Sequence, residues 1–136
     1  MPGVSETLGE IKRRGYISAI ISASSIEAAR SVQRDFGIDH LFANELVIKN
    51  GKVSGEFIWP IGAGKEKKAE IVRNLANDLG IKTSEIIYVG DSDADIEAFK
   101  EVGLSIAFNS ASKELKKAAT CVVDSGNLED ILKYIP

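Results

Sequence analysis

The stretch "EIIYVGDSDADIEAF", residues 85–99, places three aspartates within five positions, directly after a short apolar run. Residues 86–89 are rich in β-branched and aromatic side chains, as in a strand that is buried on both faces. The residues after the acids have apolar side chains at helical spacing up to Gly103. The aspartates are therefore predicted on a strand-to-helix turn at the carboxyl end of a strand, where open α/β sheets bind ligands.

The alternating acids also suggest a calcium-binding loop, which would need Gly at its sixth position and Glu at its twelfth. Those positions hold Ile96 and Val102, so an EF-hand loop is excluded. Asp91 and Asp95 can face one point across the helix start, and two carboxylates about 4 Å apart repel by roughly 1 kcal/mol even in water. Because Mg²⁺ takes carboxylate oxygens and water as ligands, the spacing favours Asp91 and Asp95 as a metal pair. We expect Asp93 to be solvated.

Composition indicates one soluble globular domain over residues 1–136, with 44% hydrophobic and 27% charged residues. The net charge of −3 gives no reason to expect a nucleic acid or an anionic membrane as partner. We expect neither a membrane span nor an export signal, because every apolar run is far shorter than about 18 residues. A single cysteine excludes an internal disulfide, and these features together predict a cytoplasmic protein.

The order of elements predicts a parallel, doubly wound α/β sheet, because strands alternate with helices over most of the chain. A β-hairpin is predicted over about residues 45–58, around Asn50-Gly51. The other expected strands cover residues 16–22, 86–89, 104–108 and 121–124, and the expected helices cover residues 5–14, 24–36, 65–79, 94–102, 112–119 and 128–135.

A candidate anion site lies at "IISASS", where Ser22 ends a predicted strand and the following amides open a helix. A hydroxyl group and helix N–H groups could together bind one cluster of oxygens. Helix capping is the alternative role, and it accounts for Ser24, which forms a capping box with Glu27. For Ser22 both roles remain open.

The segment "GAGKEKKAE" is similar to a nucleotide-binding phosphate loop but departs from it at two positions. Trp59 stands where that loop needs Gly, and Glu66 follows Lys65 where it needs Ser or Thr. A solvated helix start is the simplest role for Lys65, Lys67 and Lys68. Cations at a helix N-terminus nevertheless oppose the helix dipole, which indicates that at least one of these lysines has another role.

His and Cys side chains are catalytic or metal-binding in many proteins, but the one His and the one Cys of this chain are not expected to have such a role. His40, the only histidine, lies near the end of a helix and away from the acids. Cys121, in "TCVVD", is expected to be a buried core thiol.

Taken together, these stretches resemble the haloacid dehalogenase superfamily, and most closely the phosphoserine phosphatases. The resemblance covers nearly the whole chain and is carried by "PGVSETLGEIKRRGY", "IISAS", "FGIDHLFANELVIKNGKVSGEF", "KKAEIVRNLA", "VGDSDADIEAF", "GLSIAFN" and "LEDILKYI". It implies a three-layer α/β/α fold with a parallel sheet.

The resemblance also implies a role for each candidate site residue. Ser22 matches the hydroxyl residue that binds the phosphoryl group. Lys68 matches the lysine that balances the charge of phosphate and nucleophile, with Lys65 and Lys67 as neighbours. Asp91 and Asp95 match the acidic pair that holds Mg²⁺.

The sequence departs from the family at the nucleophile. In the family an Asp-x-Asp motif ends the first strand, and a cap domain separates it from the helix with which these 136 residues begin. Ala94 stands where the phosphatases usually have Asn, and Ala23 and Ser24 replace two glycines. The resemblance therefore implies a core without first strand and cap, with weak Mg²⁺ binding, a small phosphorylated molecule or phosphate as ligand, and no activity on its own.

Two alternatives remain. The chain could be an active small phosphomonoesterase with Asp93 as nucleophile, or a non-catalytic module, such as half of a split enzyme. In the family the first strand lies between the strands that match residues 16–22 and 86–89. We expect a second copy or a partner chain to fill that position, rather than closure of the two flanking strands on each other.

Overall fold

The computed structural model describes residues 2–49, 52–58 and 65–136. Strands and helices alternate along these ranges, and short 3₁₀ segments lie at Thr83–Glu85, Asp93–Asp95 and Leu128–Tyr134. The helices are α1 (Val4–Arg13), α2 (Ile26–Phe36), α3 (Lys65–Leu79), α4 (Ile96–Glu101) and α5 (Lys113–Ala118). The strands are β1 (Ala19–Ser25), β2 (His40–Lys49), β3 (Lys52–Ile58), β4 (Ile87–Gly90), β5 (Leu104–Phe108) and β6 (Cys121–Val123).

The chain divides into two compact units, one formed by residues 8–64 and the other by residues 65–136 with the first seven residues. Each unit contains one three-stranded sheet. Parallel strand pairs and intervening helices confirm the predicted α/β class. A single domain over residues 1–136 stays a prediction.

In the unit of residues 8–64, β2 is shared between two kinds of pairing. Its first half runs parallel to β1, with Ile21 opposite Phe42, and its second half runs antiparallel to β3, with Lys49 opposite Lys52. The second pairing is the one that the hairpin prediction requires, while the Asn50-Gly51 turn lies outside the described residues. β2 begins at His40, before the predicted hairpin start at about residue 45, and its added first half pairs in parallel with β1.

The bounds of β1 and α2 differ from the prediction. The strand covers Ala19–Ser25 rather than residues 16–22, and α2 begins at Ile26 rather than at residue 24. Ser25 pairs with Asn44, and the register is irregular between Ile21 and Ser25. The added pairing with β2 extends the strand past the expected helix start.

In the unit that holds residues 65–136, β4, β5 and β6 are all parallel, in that order. The sheet centre is apolar, because Ile106 and Ala107 of β5 are fully buried. Helices α3 and α4 pack against each other. The buried residues of α3 recur at helical spacing, as expected for its core face: Ala69, Val72 and Ala76.

A close approach of two backbone segments explains the glycine after α4. A Cβ atom at Gly103 would lie 1.9 Å from the carbonyl oxygen of Ser84. The N–H of Gly103 also donates to the carbonyl oxygen of Ile86, at 3.2 Å. This glycine therefore brings the chain from α4 against the segment that leads into β4.

The C-terminal segment predicted as a helix folds as a 3₁₀ segment, Leu128–Tyr134. Its first turn is capped by Asn127, whose side chain accepts the N–H of Glu129. Cys121 is a free, partly buried thiol in β6. Among the described residues, no helix combines the length and the apolar character needed to cross a membrane.

Candidate functional site

The acidic turn lies at the carboxyl end of β4, as the sequence predicts. The strand ends at Gly90, the 3₁₀ segment Asp93–Asp95 follows, and α4 begins at Ile96. Oδ2 of Asp95 accepts the backbone N–H groups of Asp91, at 3.1 Å, and Ser92, at 3.3 Å. These two bonds hold the turn in place by satisfying amides that open a helix.

The carboxylate of Asp95 is fully bonded. Its Oδ1 accepts two further hydrogen bonds, from Nζ of Lys68 at 2.8 Å and from the hydroxyl group of Tyr88 at 2.9 Å. A carboxylate offers about four lone-pair positions, so four donors occupy all of them. Asp95 is 3% exposed, and this saturation explains how a charged group is accommodated there.

Lys68 reaches the turn from the first helical turn of α3. The side chains of Lys68 and Asp95 are 12% and 4% exposed, so the ion pair is buried. Neighbouring Lys67 is exposed and pairs with Glu70 at 3.5 Å. The structure thus brings Lys68 and not Lys67 to the turn, while the side chain of Lys65 lies outside what is described. Pairing with Asp95 gives the reason for a cation at this helix start.

The protonation states of this cluster follow from its surroundings. Burial raises the pKa of Asp95, but the Lys68 ammonium, the Tyr88 hydroxyl group and the amide of Asp91 outweigh it, so the net pKa is lowered. Burial and the neighbouring Asp95 carboxylate raise the pKa of Tyr88. At neutral pH Asp95 is therefore ionised and Tyr88 is a hydrogen-bond donor.

Gly90 allows Asp95 to approach the strand. A Cβ atom at this position would lie 2.6 Å from Oδ2 and 2.7 Å from Cγ of Asp95. Real Cβ atoms do not approach other atoms so closely, so a larger residue would push the carboxylate away. The Gly in "VGDSDAD" is thus required by space at this turn.

Asp91 and Asp93 differ in what they contact. The carbonyl oxygen of Asp91 accepts the Ser110 hydroxyl group at 2.7 Å, and no described residue bonds its exposed carboxylate. The carboxylate of Asp93 accepts the hydroxyl group of Ser112, which itself accepts the N–H of Leu115 and caps α5. Asp93 is exposed, as expected, but it also connects the turn to α5.

The remaining sequence candidates lie in the unit of residues 8–64. Ser22 is half-buried on β1, in the stretch where pairing with β2 is irregular. Convergence of Ser22 with Lys68, Asp91 and Asp95 stays a prediction. His40 begins β2, and its backbone N–H donates to the carbonyl oxygen of Ser18 at 3.0 Å.

Two residues of this cluster were not among the sequence candidates. Tyr88 was assigned to a buried strand only, although a buried Tyr hydroxyl group usually needs a polar partner. Ser110 follows β5 and bonds the backbone of the acidic turn. The position of Ser110 just after a parallel strand was the available signal, because such strand ends meet at one sheet edge.

Comparison with known proteins shows which family the chain and its fold resemble. Residues 36–135 match the haloacid dehalogenase-like hydrolase family. Phosphoserine phosphatase of Methanocaldococcus jannaschii is 37% identical over 133 residues, which are 98% of this chain and 62% of that protein. Phosphoserine phosphatase of Lactococcus lactis is 31% identical over 98% of this chain and 59% of its own length.

A crystal structure of phosphoserine phosphatase in apo form superposes with a TM-score of 0.92 at 36% identity, covering 99% of this chain and 66% of that one. The chain thus spans about three fifths of the length of these two curated relatives. By its family match and its fold, the chain belongs to the haloacid dehalogenase-like hydrolases and is similar to phosphoserine phosphatases.

Proposed function

We propose that the chain carries most of the core of a Mg²⁺-dependent phosphomonoester hydrolase that acts on a small phosphorylated molecule. The observation that supports this most strongly is the buried pair of Lys68 and Asp95, 2.8 Å apart, next to the exposed carboxylate of Asp91 at the end of β4. Such a site offers one cation for a phosphoryl group and one carboxylate for a metal ion.

Lys68 is the proposed phosphate-binding group. An ammonium has three N–H donors, and the bond to Asp95 uses one of them. The other two can bind oxygens of a phosphoryl group, while the charge of Asp95 keeps the ammonium in place. The hydroxyl group of Ser22 is proposed as a phosphate donor only from its match to the family's sequence motif.

Asp91 is the proposed direct ligand of Mg²⁺. Phosphatases of this family generally use Mg²⁺, and the ion prefers carboxylate and water oxygens. Asp91 fits this preference, because its carboxylate is exposed and has no bond from the described residues. Asp95 was predicted as the second ligand, but a direct bond there would have to displace one of its four donors. When bound, Mg²⁺ would neutralise charge on the phosphoryl oxygens.

We propose that Mg²⁺ binding to the isolated chain is weak. Among the described residues, no three His, Cys, Asp or Glu side chains come together in a group that could hold a metal ion. One free carboxylate and a second that is already bonded make a poor site for an ion that gives up its bound water reluctantly. Additional ligands from another segment or chain would raise the affinity.

The names of the similar proteins suggest a phosphorylated amino acid or a comparable small monoester as substrate. These relatives extend well beyond the region that they share with this chain. Activity and substrate are therefore only proposals for this chain, because in these relatives they belong to proteins longer than the shared region.

We propose that the 136-residue chain does not hydrolyse phosphomonoesters by itself. Its only Asp-x-Asp sequences overlap in the acidic turn, at Asp91, Asp93 and Asp95. Asp93 accepts the hydroxyl group of Ser112, so it is engaged in connecting the turn to α5. Covalent phosphoryl transfer needs a free carboxylate nucleophile, and losing a nucleophile costs on the order of 10⁶ in rate.

An assay of the purified chain with p-nitrophenyl phosphate and phosphoserine, with and without Mg²⁺, tests this proposal. We expect no turnover above a preparation of the Asp93→Asn variant. Turnover that persists through purification and disappears in Asp93→Asn would favour the alternative, an active small phosphatase with Asp93 as nucleophile.

A partner strand is a second proposal, and it is supported by the edges of the two sheets. In the described ranges β4 pairs only with β5 and β1 only with β2. Val89 of β4 is 40% exposed and Ile17, just before β1, is 58% exposed. Uncharged strand edges with exposed apolar residues tend to pair with further strands. We propose that a second copy or a partner chain supplies a further strand at these edges.

Light scattering at micromolar concentration and amide hydrogen exchange test this second proposal. We expect a dimer or larger assembly, with amides 17–21 and 87–90 protected only when it forms. A monomer in which these amides are already protected would contradict it.

A further inference from the structure

We propose that Tyr88 is a positioning residue, whose hydroxyl group shares Oδ1 of Asp95 with the Lys68 ammonium and thereby keeps that ammonium in one place. The inference rests on the proposed role of Lys68 in binding phosphate. It adds a residue that touches neither phosphate nor metal but acts through Asp95.

The hydrogen bonds around Asp95 define this role. The hydroxyl group of Tyr88 lies 2.9 Å from Oδ1, and Nζ of Lys68 lies 2.8 Å from the same atom. Oδ2 is held separately by the amides of Asp91 and Ser92. Both oxygens of the carboxylate are thus held by protein donors, and the carboxylate cannot rotate without losing several of these bonds.

Packing fixes the position of the Tyr88 side chain. Its side chain is buried on β4, and its ring meets that of Phe99 edge-on, with centroids 5.7 Å apart and planes at 73°. Phe99 is buried on α4, the helix that begins next to Asp95. Packing of this kind fixes the ring and with it the direction of the hydroxyl group.

The charged contact between α3 and the acidic turn is therefore made at one oxygen atom, Oδ1 of Asp95. Without the Tyr88 hydroxyl group, Oδ1 would keep only Lys68, and one buried lone pair would lose its donor. The carboxylate could then rotate about the two amide bonds of Oδ2. Because the Lys68 ammonium follows Oδ1, it would occupy several positions instead of one.

The test uses Tyr88→Phe, which removes the hydroxyl group and keeps the ring that packs on Phe99. The matched control is Tyr134→Phe, because Tyr134 is partly exposed and its ring contacts Lys133. Lys68 is observed through the ¹⁵N-resolved NMR signal of its ammonium, in slightly acidic solution at low temperature. A hydrogen-bonded, buried ammonium exchanges its protons slowly with water.

We expect a resolved Lys68 signal in the unmodified chain and in Tyr134→Phe. In Tyr88→Phe we expect proton exchange about tenfold faster, as for the loss of one hydrogen bond to a charged group. The effect should vanish in the Asp95→Asn background, because Tyr88 acts through that carboxylate. No resolved signal in the unmodified chain would contradict the proposal, and so would equal exchange with and without Tyr88→Phe.

A general loss of fold stability could also speed proton exchange at Lys68, so it needs its own control. Ile131→Val shortens a buried side chain in the Leu128–Tyr134 segment and serves as a control for it. Faster Lys68 exchange in Ile131→Val, to the same extent as in Tyr88→Phe, would overturn the positioning role.

A titration with inorganic phosphate separates this inference from the proposed function. If Lys68→Met leaves phosphate binding unchanged, the phosphate-binding role of Lys68 fails. The exchange measurement on Tyr88→Phe does not depend on phosphate, so it still decides whether Tyr88 positions the ammonium.

Discussion

Nζ of Lys68 lies 2.8 Å from Oδ1 of Asp95 and joins the start of α3 to the turn after β4, across 27 positions of sequence. Both side chains are almost completely buried. Removing one partner of a buried ion pair leaves the other charge without compensation, which costs far more than the pair itself contributes. The site and the stability of this unit are therefore coupled through one contact.

The first prediction concerns Lys68→Met, which keeps the length of the side chain and removes the charge. We expect the free energy of unfolding to fall by about 2–3 kcal/mol, somewhat less than for an isolated buried charge, because three donors to Asp95 remain. Urea unfolding followed by circular dichroism measures this change.

The control for that experiment is Lys67→Met. Lys67 is half-exposed and pairs with Glu70 at 3.5 Å on the same helix. Surface pairs of this kind contribute about 0–1 kcal/mol, so a small change is expected. Equal losses of unfolding free energy in Lys68→Met and Lys67→Met would show that the Lys68–Asp95 contact stabilises the fold no more than a surface ion pair.

The second prediction concerns pH. The pKa of Asp95 is lower in the folded chain than its ordinary value, because the Lys68 ammonium and the other donors outweigh burial. Its ionised form therefore stabilises the fold above the unfolded-state pKa of about 3.9. That contribution is lost as the pH falls through the lower folded-state pKa.

This contribution is measured by comparing the free energy of unfolding of the unmodified chain with that of Asp95→Asn, in a metal-free buffer. We expect the stability gap between the unmodified chain and Asp95→Asn to be constant near neutral pH and to shrink only below about pH 4. A gap that shrinks between neutral pH and pH 5 would contradict this prediction, because it would mean that the pKa of the Asp95 carboxyl group is raised in the folded chain.

The third prediction concerns Gly90→Ala. The new Cβ atom would lie 2.6 Å from Oδ2 of Asp95, so the carboxylate must move. We expect a loss of about 1–3 kcal/mol, as for other overpacked sites. Gly126→Ala is the matched control, because no atom lies within 4 Å of a Cβ there. Similar stability of the two variants in thermal unfolding would contradict the close approach.

Much of the fold and the acidic turn could be predicted, because their signals are local. The apolar run before Asp91 and the helical spacing after Asp95 identify a strand-to-helix turn without any knowledge of distant contacts. The choice of Lys68 over Lys67 was also within reach, since Lys68 precedes the buried Val72 by four positions and shares its face of α3.

The bounds of β1 and β2 could not be predicted in the same way. Ser25 belongs to β1 because Asn44 pairs with it, and that pairing joins distant parts of the sequence. A local capping signal at Ser24 therefore predicted the start of α2 too early. The bond between Tyr88 and Asp95 was missed for a related reason, because side-chain directions across a strand-to-helix turn depend on packing.

The most direct test of a phosphate- and magnesium-binding site in this chain is a ¹H–¹⁵N NMR titration with Mg²⁺ and then with inorganic phosphate. We predict weak Mg²⁺ binding that shifts the amides around Asp91–Asp95 and is lost in Asp91→Asn, followed by phosphate binding that is lost in Lys68→Met. Micromolar Mg²⁺ binding that persists in Asp91→Asn, or no response of these amides to either ion, would contradict this prediction.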